Sequence, residues 1–354
     1  MLQPRHSVEL ANQPPLALMR SSHRSLRLGL VLALVLTFCV SIVLASTGDR
    51  QPQYIACVKE CDKDICQATD MTLLTPAQLE HQLSLSLRLT RWTCLDNCRY
   101  LCMQNITIAA LQEDQPLHQY HGKWPFYRFL GMQEPASVLF SLLNGYMHIL
   151  AWPHLKRNIP EDYYMRPLYF GYAIVGMNTW LWSAVYHMRD WPVTEKLDYF
   201  SAGTSIMFGL FYSVIRITRM VNTRSQMIWG TFCLVPLVLH ISYLSFVHFD
   251  YSYNMVATAS VGAIHNIWWI CWSISHWRER PYAWEPAILG ILVTAAMCLE
   301  ILDFAPLHGI LDAHSLWHAA TIPLVPMWYR FLLKDTEWEV RNKKELLRSV
   351  SHRD

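Results

Sequence analysis

Between residues 136 and 333 the chain is a succession of apolar segments, separated by short polar connections. They fall at about 136 to 152, 167 to 187, 197 to 217, 227 to 247, 254 to 276, 286 to 303 and 312 to 333, the first and sixth being short. A bilayer core requires about 20 residues of helix, and most of the seven come close. In hydrocarbon each segment must satisfy its own backbone amides, so these segments must be helices. The Ser, Thr, Asn and His that interrupt them must face other helices or a cavity. Composition agrees: 53% of the chain is hydrophobic and 16% charged, against about 25% charged in a soluble domain. The net charge of +2 is too small and scattered for a nucleic-acid surface.

Ahead of these segments the chain reads as a secreted module. Residues 1–27 are polar and basic, with Arg20, Arg24 and Arg27 leading into an apolar run from Leu28 to Ala45. The run ends Val43-Leu44-Ala45, a small-residue cleavage pattern, and Ser46-Thr47-Gly48-Asp49 follows. This favours a signal peptide cleaved near Ala45, with a retained anchor as the alternative. Six of the ten cysteines then lie as Cys57-x3-Cys61-x4-Cys66 and Cys94-x3-Cys98-x3-Cys102. After a secretory signal this is a disulfide framework, whose connectivity stays open among about 15 pairings. A zinc cluster is the weaker reading, because the C-x2-C spacing is missing. Asn105-Ile106-Thr107 is a glycosylation sequon beside the last of these cysteines.

Loop charge sets the orientation. One alternate set of connections holds Lys156, Arg157, Arg166, Arg219, Arg224, Arg278 and Arg280, and the tail adds Lys334, Arg341, Lys343, Lys344 and Arg348. The other set holds only Arg189 and Lys196. The positive-inside rule puts the tail in the cytosol and the amino-terminal module in the lumen. The expected fold is therefore an all-α membrane protein, seven transmembrane helices carrying a small disulfide-rich luminal N-terminal domain. Its parts are a signal peptide or anchor at 1–45, the cysteine-rich domain at 46–130, the seven-helix domain at 131–334 and a cytosolic tail at 335–354.

Two polar pairs within the apolar segments carry the chemistry. Ser183 and His187 are four residues apart on the second segment, and His314 and His318 four apart on the seventh. Residues at that spacing share a helix face, and ionisable groups inside spanning helices are rare and usually functional. With the orientation above, both pairs lie at luminal helix ends, as does Asp198 at the start of the third segment. Three imidazoles leave one tetrahedral position on zinc for water, and zinc is redox-inert. His187, His314 and His318 are the candidate ligands, Asp198 the candidate base, and Ser183 the candidate hydrogen-bond donor to an oxyanion. The competing reading is a set of interhelical hydrogen bonds, since the chain has 16 histidines and His148, His240 and His265 also sit in apolar segments. Glu300 and Asp303 are expected to support the ligands or to face water, and Asp312 to cap a helix. Trp268, Trp269 and Trp272 suggest an interfacial belt, and Cys233, Cys271 and Cys298 small buried groups.

Several longer strings resemble a known family. They are Trp92-Thr93-Cys94 through Cys102-Met103, His121-Gly122-Lys123-Trp124-Pro125-Phe126, Gln133-Glu134-Pro135-Ala136-Ser137, Glu195-Lys196-Leu197-Asp198-Tyr199-Phe200 and Leu311-Asp312-Ala313-His314. From about Cys57 to Phe331 the chain is similar to the post-GPI-attachment-to-proteins factor 3 family, the GPI-specific phospholipase A2-like proteins. These belong with alkaline ceramidases and adiponectin-receptor-like proteins in the CREST superfamily of seven-helix membrane hydrolases. The superfamily pattern is a Ser and His one turn apart, an Asp eleven residues on and a later His-x3-His; it falls on Ser183, His187, Asp198, His314 and His318 without departure. The resemblance implies Zn2+ on the three histidines, with Asp198 and Ser183 assisting. It also implies removal of the unsaturated sn-2 acyl chain from the lipid of GPI-anchored proteins, in the Golgi membrane or alternatively the endoplasmic reticulum. A non-enzymatic receptor or GPI-protein cargo chaperone on the same body is the alternative, because fold does not fix function. A ceramide-directed amidase is disfavoured by the cysteine-rich module, which the resembling ceramidases lack. The long stretch before Leu28 is the one oddity.

Overall fold

The computed structural model describes residues 47–67 and 83–351; the signal or anchor segment expected at 1–45 lies outside them. The cysteine module is a pair of helices, α1 (Pro52–Cys61) and α3 (Cys94–Gln112), with a short α2 (Leu85–Leu89) between them in the chain. Pro52 starts α1 where a missing N–H costs nothing. Thr93 and Asp96 form a capping box at the start of α3. Three disulfides join the helices as a nested ladder, Cys57–Cys102, Cys61–Cys98 and Cys66–Cys94. The spacing explains the ladder once α1 and α3 are packed together. Cys94, Cys98 and Cys102 recur every four residues on one face, as do Cys57 and Cys61. Cys66 is five residues beyond Cys61, and Asp62–Cys66 is π-helical, whose wider turn returns the fifth residue to the same face. The thiols are thereby consumed as disulfides, which removes the zinc-cluster reading.

The helical body contains α4 (Pro135–Asn158), α5 (Arg166–Met188), α6 (Pro192–Ile217), α7 (Thr223–Phe246), α8 (Tyr251–His276), α9 (Glu285–Leu302), α10 (Ala313–Thr321) and α11 (Leu324–Ser351). Proline in the first turn starts α4, α5, α6 and α9, and Asn222, Asp250 and Asp312 cap α7, α8 and α10. Packing is cyclic: α4 on α5, α5 on α6, α6 on α8, α8 on α9, α9 on α10 and α11, and both of these back onto α4. Helix α7 lies outside the ring against α6.

Each expected apolar segment is helical, and the seventh is two helices rather than one. Pro323 has no N–H to continue α10. Thr321 Oγ1 and Asn144 Nδ2 both donate to the His318 carbonyl near the break (2.8 Å each). Among the described residues, α6 and α7 alone are long and apolar enough by themselves to cross a membrane, with mean hydropathy 1.3 and 1.7. Among the rest, α4 buries Ser137, Ser141, Asn144 and His148, which lower its hydropathy, and α10 has nine residues. The chain is all-α and membrane-associated, with its disulfide cluster toward the amino terminus.

The main apolar core occupies the end of the ring away from the cysteine module, around Leu155, Met165, Tyr169, Tyr212, Ile215 and Phe331. Trp269 and Trp272 belong to it, packed edge-on to Phe331 at 5.2 and 5.9 Å, so they are core residues rather than a belt; Trp268 is exposed. Cys233 is buried as expected, whereas Cys271 and Cys298 face outward.

Candidate metal centre

At the end of the ring facing the cysteine module, α5 and α10 bring His187, His314 and His318 together. His314 Nε2 lies 3.2 Å from His187 Nε2 and 2.9 Å from His318 Nε2. The His-x3-His spacing puts His314 and His318 on one face of α10, and the capping box of Asp312 with Ser315 fixes where that helix begins. Asp312 is thus a cap, as its position suggested. His187 and His318 are buried, while His314 is one-third exposed and forms the open corner.

The opposite nitrogen of each ring is also held. His187 Nδ1 donates to Glu134 Oε2 at 2.7 Å, and His314 Nδ1 to Glu300 Oε2 at 2.5 Å. His318 Nδ1 is hydrogen-bonded to Ser141 Oγ (2.9 Å), which is bonded in turn to Ser183 Oγ (3.0 Å). A carboxylate on Nδ1 fixes the proton there and leaves Nε2 of a neutral ring as a lone pair. The lone pairs of His187 and His314 then point at each other across 3.2 Å, which is repulsive unless a cation sits between them. Nitrogens each about 2.0–2.1 Å from a tetrahedral zinc lie about 3.3–3.4 Å apart. Donor set, tautomers and spacing all fit a divalent metal, and these three ligand atoms lie within 4.8 Å of one another.

Glu134 stands at the N-cap position of α4 without a side-chain capping bond, and its carboxylate is itself paired. Lys123, from the loop between the cysteine module and α4, forms an ion pair with Glu134 Oε1 and lies 3.4 Å from Asp190. Burial disfavours the Lys123 ammonium, but Glu134 and Asp190 outweigh it and hold its pKa well above the ordinary lysine value. Burial likewise disfavours ionised Glu134, yet Lys123 and His187 hold its carboxyl well below the usual range. Glu134 therefore stays anionic, as the Nδ1–H of His187 requires.

The structure brings four of the five sequence candidates into one bonded network, the three histidines and, through Ser141, Ser183. Asp198 is buried on α6, within electrostatic reach of His187 and His314. Its carboxylate has no hydrogen-bond partner among the described residues, and its backbone carbonyl accepts from Ser201. Glu300 supports a ligand, one of the two roles open to it, whereas Asp303 accepts from Trp124 and Gln119 and ties the module to the end of α9. Glu134, Ser141 and Lys123 had no assigned role in the sequence. The signal for Ser141 was the stripe Ser137, Ser141, Asn144, His148 along one face of an apolar helix. The three other histidines noted in apolar segments are hydrogen-bonding residues: His148 Nδ1 with Tyr329 (2.7 Å), His240 Nε2 with Asn254 (3.1 Å) and His265 with Trp269 (3.2 Å).

Residues 84–336 match the Per1-like family. The chain belongs to that family. Among its relatives is a GPI-specific phospholipase A2-like PGAP3 of Xenopus laevis, 39% identical over 84% of this chain and 93% of the relative. The human protein of that name is 34% identical over 90% and 98%, and the PER1 homolog of Schizosaccharomyces pombe 38% over 84% and 89%. No solved structure matches the chain. The span common to Per1-like proteins includes the three histidines, Asp198, Ser183, and all the residues that hold the rings from behind.

Proposed function

We propose that this Per1-like chain is a zinc-dependent hydrolase that removes the sn-2 acyl chain from the lipid of GPI-anchored proteins. The observation that carries the reading is the pair of carboxylate-bound imidazoles whose free nitrogens converge. The names of the relatives supply the substrate class. In this reading α4 to α9 and the broken α10–α11 pair make seven spans, with residues 46–130 luminal, residues 335–354 cytosolic and the Golgi membrane as the residence. The metal centre then lies near the luminal leaflet, where a glycerol ester of an anchored lipid is found.

When bound, zinc polarises an ester carbonyl and makes water nucleophilic near neutral pH. The chain does the rest. Glu134, Glu300 and Ser141 hold the three imidazoles by Nδ1, so the ligand geometry is set before substrate arrives. Asp198, buried and with a carboxylate that no described residue hydrogen-bonds, accepts a proton from the attacking water and returns it to the departing glycerol oxygen. One acyl–oxygen bond breaks, the acid keeps the water oxygen, and the lysolipid leaves with the proton. Ser183 is the hydroxyl aimed at the developing oxyanion, and its bond to Ser141 also links it to His318.

The deciding experiment is lipid mass spectrometry of GPI-anchored proteins from cells lacking the chain, rescued with wild type or with His314→Ala. Retained unsaturated sn-2 chains with the variant, at normal expression, are expected. Full remodelling by His314→Ala would favour the non-enzymatic receptor or chaperone and overturn the hydrolase.

A further inference from the structure

Between the cysteine module and the luminal ends of α5 and α6 lies a cleft of about 320 Å³ that the chemistry above does not use. Its polar lining is cationic: Arg99, Lys123, Arg128 and Arg189 face Asp96 and Asp190. Glu134 stands behind Lys123, which leaves one positive charge in excess. The guanidinium groups of Arg128 and Arg189 lie over aromatic rings. Arg128 lies 3.5 Å from the Tyr100 centroid and 4.3 Å from that of Trp92, and Arg189 4.2 Å from Trp92. Arg128 Nη2 donates to Asn97 (2.7 Å), and Arg189 donates through Nη2 to Asp96 (2.9 Å) and through Nη1 to the Asp190 carbonyl (3.4 Å). Arg128 Nη1 and Arg189 Nε are buried and have no hydrogen-bond partner among the described residues. A stacked guanidinium with donors to spare is pre-organised for phosphate oxygens, and a buried donor left unpaired is costly. The volume lies in the range of small-ligand sites.

We propose that this cleft binds the phosphodiester and inositol ring of the substrate's headgroup, the arginines taking the phosphate and the aromatic face of Trp124 the sugar. This rests on the reading of the chain as a GPI-lipid hydrolase and adds where that lipid is recognised. A phosphodiester carries one negative charge, the excess the cleft leaves. Position agrees as well: Lys123 lines the cleft and pairs with Glu134, which holds His187. A headgroup seated there brings its glycerol ester, a few bonds from the phosphate, toward the metal ligands. Cysteine module and helical body thus contribute to one substrate site, which explains why Trp124 and Gln119 are fastened to Asp303.

The test is calorimetric titration of the purified full chain in detergent with soluble glycerophosphoinositol, glycerophosphocholine and inorganic phosphate. Glycerophosphoinositol should bind wild type and His314→Ala alike. Arg128→Gln should weaken it by about tenfold or more, the effect of losing one charge-assisted hydrogen bond. Exposed Arg99→Gln, which leaves the ring stack intact, should weaken it less and guards against misfolding of the first variant. Equal affinity for all three probes, or no change in either arginine variant, overturns the proposal. Binding without hydrolysis leaves the cleft standing and sinks the hydrolase, and hydrolysis without binding does the reverse.

Discussion

Two buried charge clusters sit at opposite ends of the helical ring, and they are built on different terms. At the end carrying the basic connections, Arg216 makes two bonds to Asp335 at 2.6 and 2.7 Å, and Arg280 reaches Asp335 at 3.2 Å and Glu339 at 2.9 Å. Every buried cation there faces an anion, and Tyr282 adds a hydroxyl to Asp335 at 3.0 Å. At the end facing the cysteine module, Glu134 and Glu300 are spent behind the imidazoles, and the free nitrogens of those imidazoles oppose one another. One cluster is electrically complete as it stands; the other is completed by a cation. A buried charge by itself therefore says little about function, whereas an arrangement of lone pairs aimed at one point does.

The largest effect belongs to the incomplete cluster. His314→Ala should abolish stoichiometric metal and lower turnover by at least about 10³-fold, on the order of 4 kcal/mol of barrier. Metal analysis of purified protein beside acyl release checks both. Retention of metal with lost turnover would break the comparison, because the cluster would then not need all three rings.

Next comes the complete cluster, where the readout is stability. Asp335→Ala leaves Arg216 buried without its bidentate partner and should cost about 3–5 kcal/mol. Replacing Arg216 and Asp335 together by Met and Leu should recover most of that loss, since apolar groups of similar volume replace buried ion pairs at little cost. Thermal unfolding in detergent measures both, and metal content per folded molecule should not change. Failure of the double variant to recover would assign that network a role beyond holding α6 against α11.

Smaller again is the carboxylate behind each ring. Glu134→Gln and Glu300→Gln should each weaken metal binding by about 10–100-fold, measured by competition with a chelator. The amide accepts a hydrogen bond but supplies no charge. Unchanged affinity would reduce these residues to packing.

The positions of the helices and the histidines that converge were legible in the sequence, and the groups that hold those histidines were not. Ser183, His187, His314 and His318 announce themselves because i, i+4 spacing is local and their apolar surroundings make each polar residue conspicuous. Glu134 sits where an acid before Pro135 reads as an ordinary helix start, and its partner His187 is on another helix. Arg216 and Asp335 are a similar case, since their pairing is set by how α6 and α11 pack. The disulfide ladder was half-legible: the four-residue spacings show a shared face, but the choice among pairings needs the antiparallel approach of α1 and α3. The break at Pro323 was visible as a residue and missed as a consequence, because the hydropathy of residues 312–333 runs through it.

Lys123 tests whether the module and the helical body are one machine. It lies outside the helices, yet it neutralises the carboxylate that orients His187 and lies 4.2 Å from the Tyr186 ring centroid. Lys123→Met keeps most of the stem and removes the charge. Glu134 would remain bonded to His187, so metal affinity should fall by less than Glu134→Gln produces, under about tenfold. Binding of glycerophosphoinositol should fall as well, because the same ammonium lines the headgroup cleft. A loss confined to the metal would make Lys123 a support for His187 alone, and a loss confined to the headgroup would separate the two sites. Both together, with Lys123→Arg retaining most of each, is the result expected if the loop carries the substrate's charge to the ligand's back.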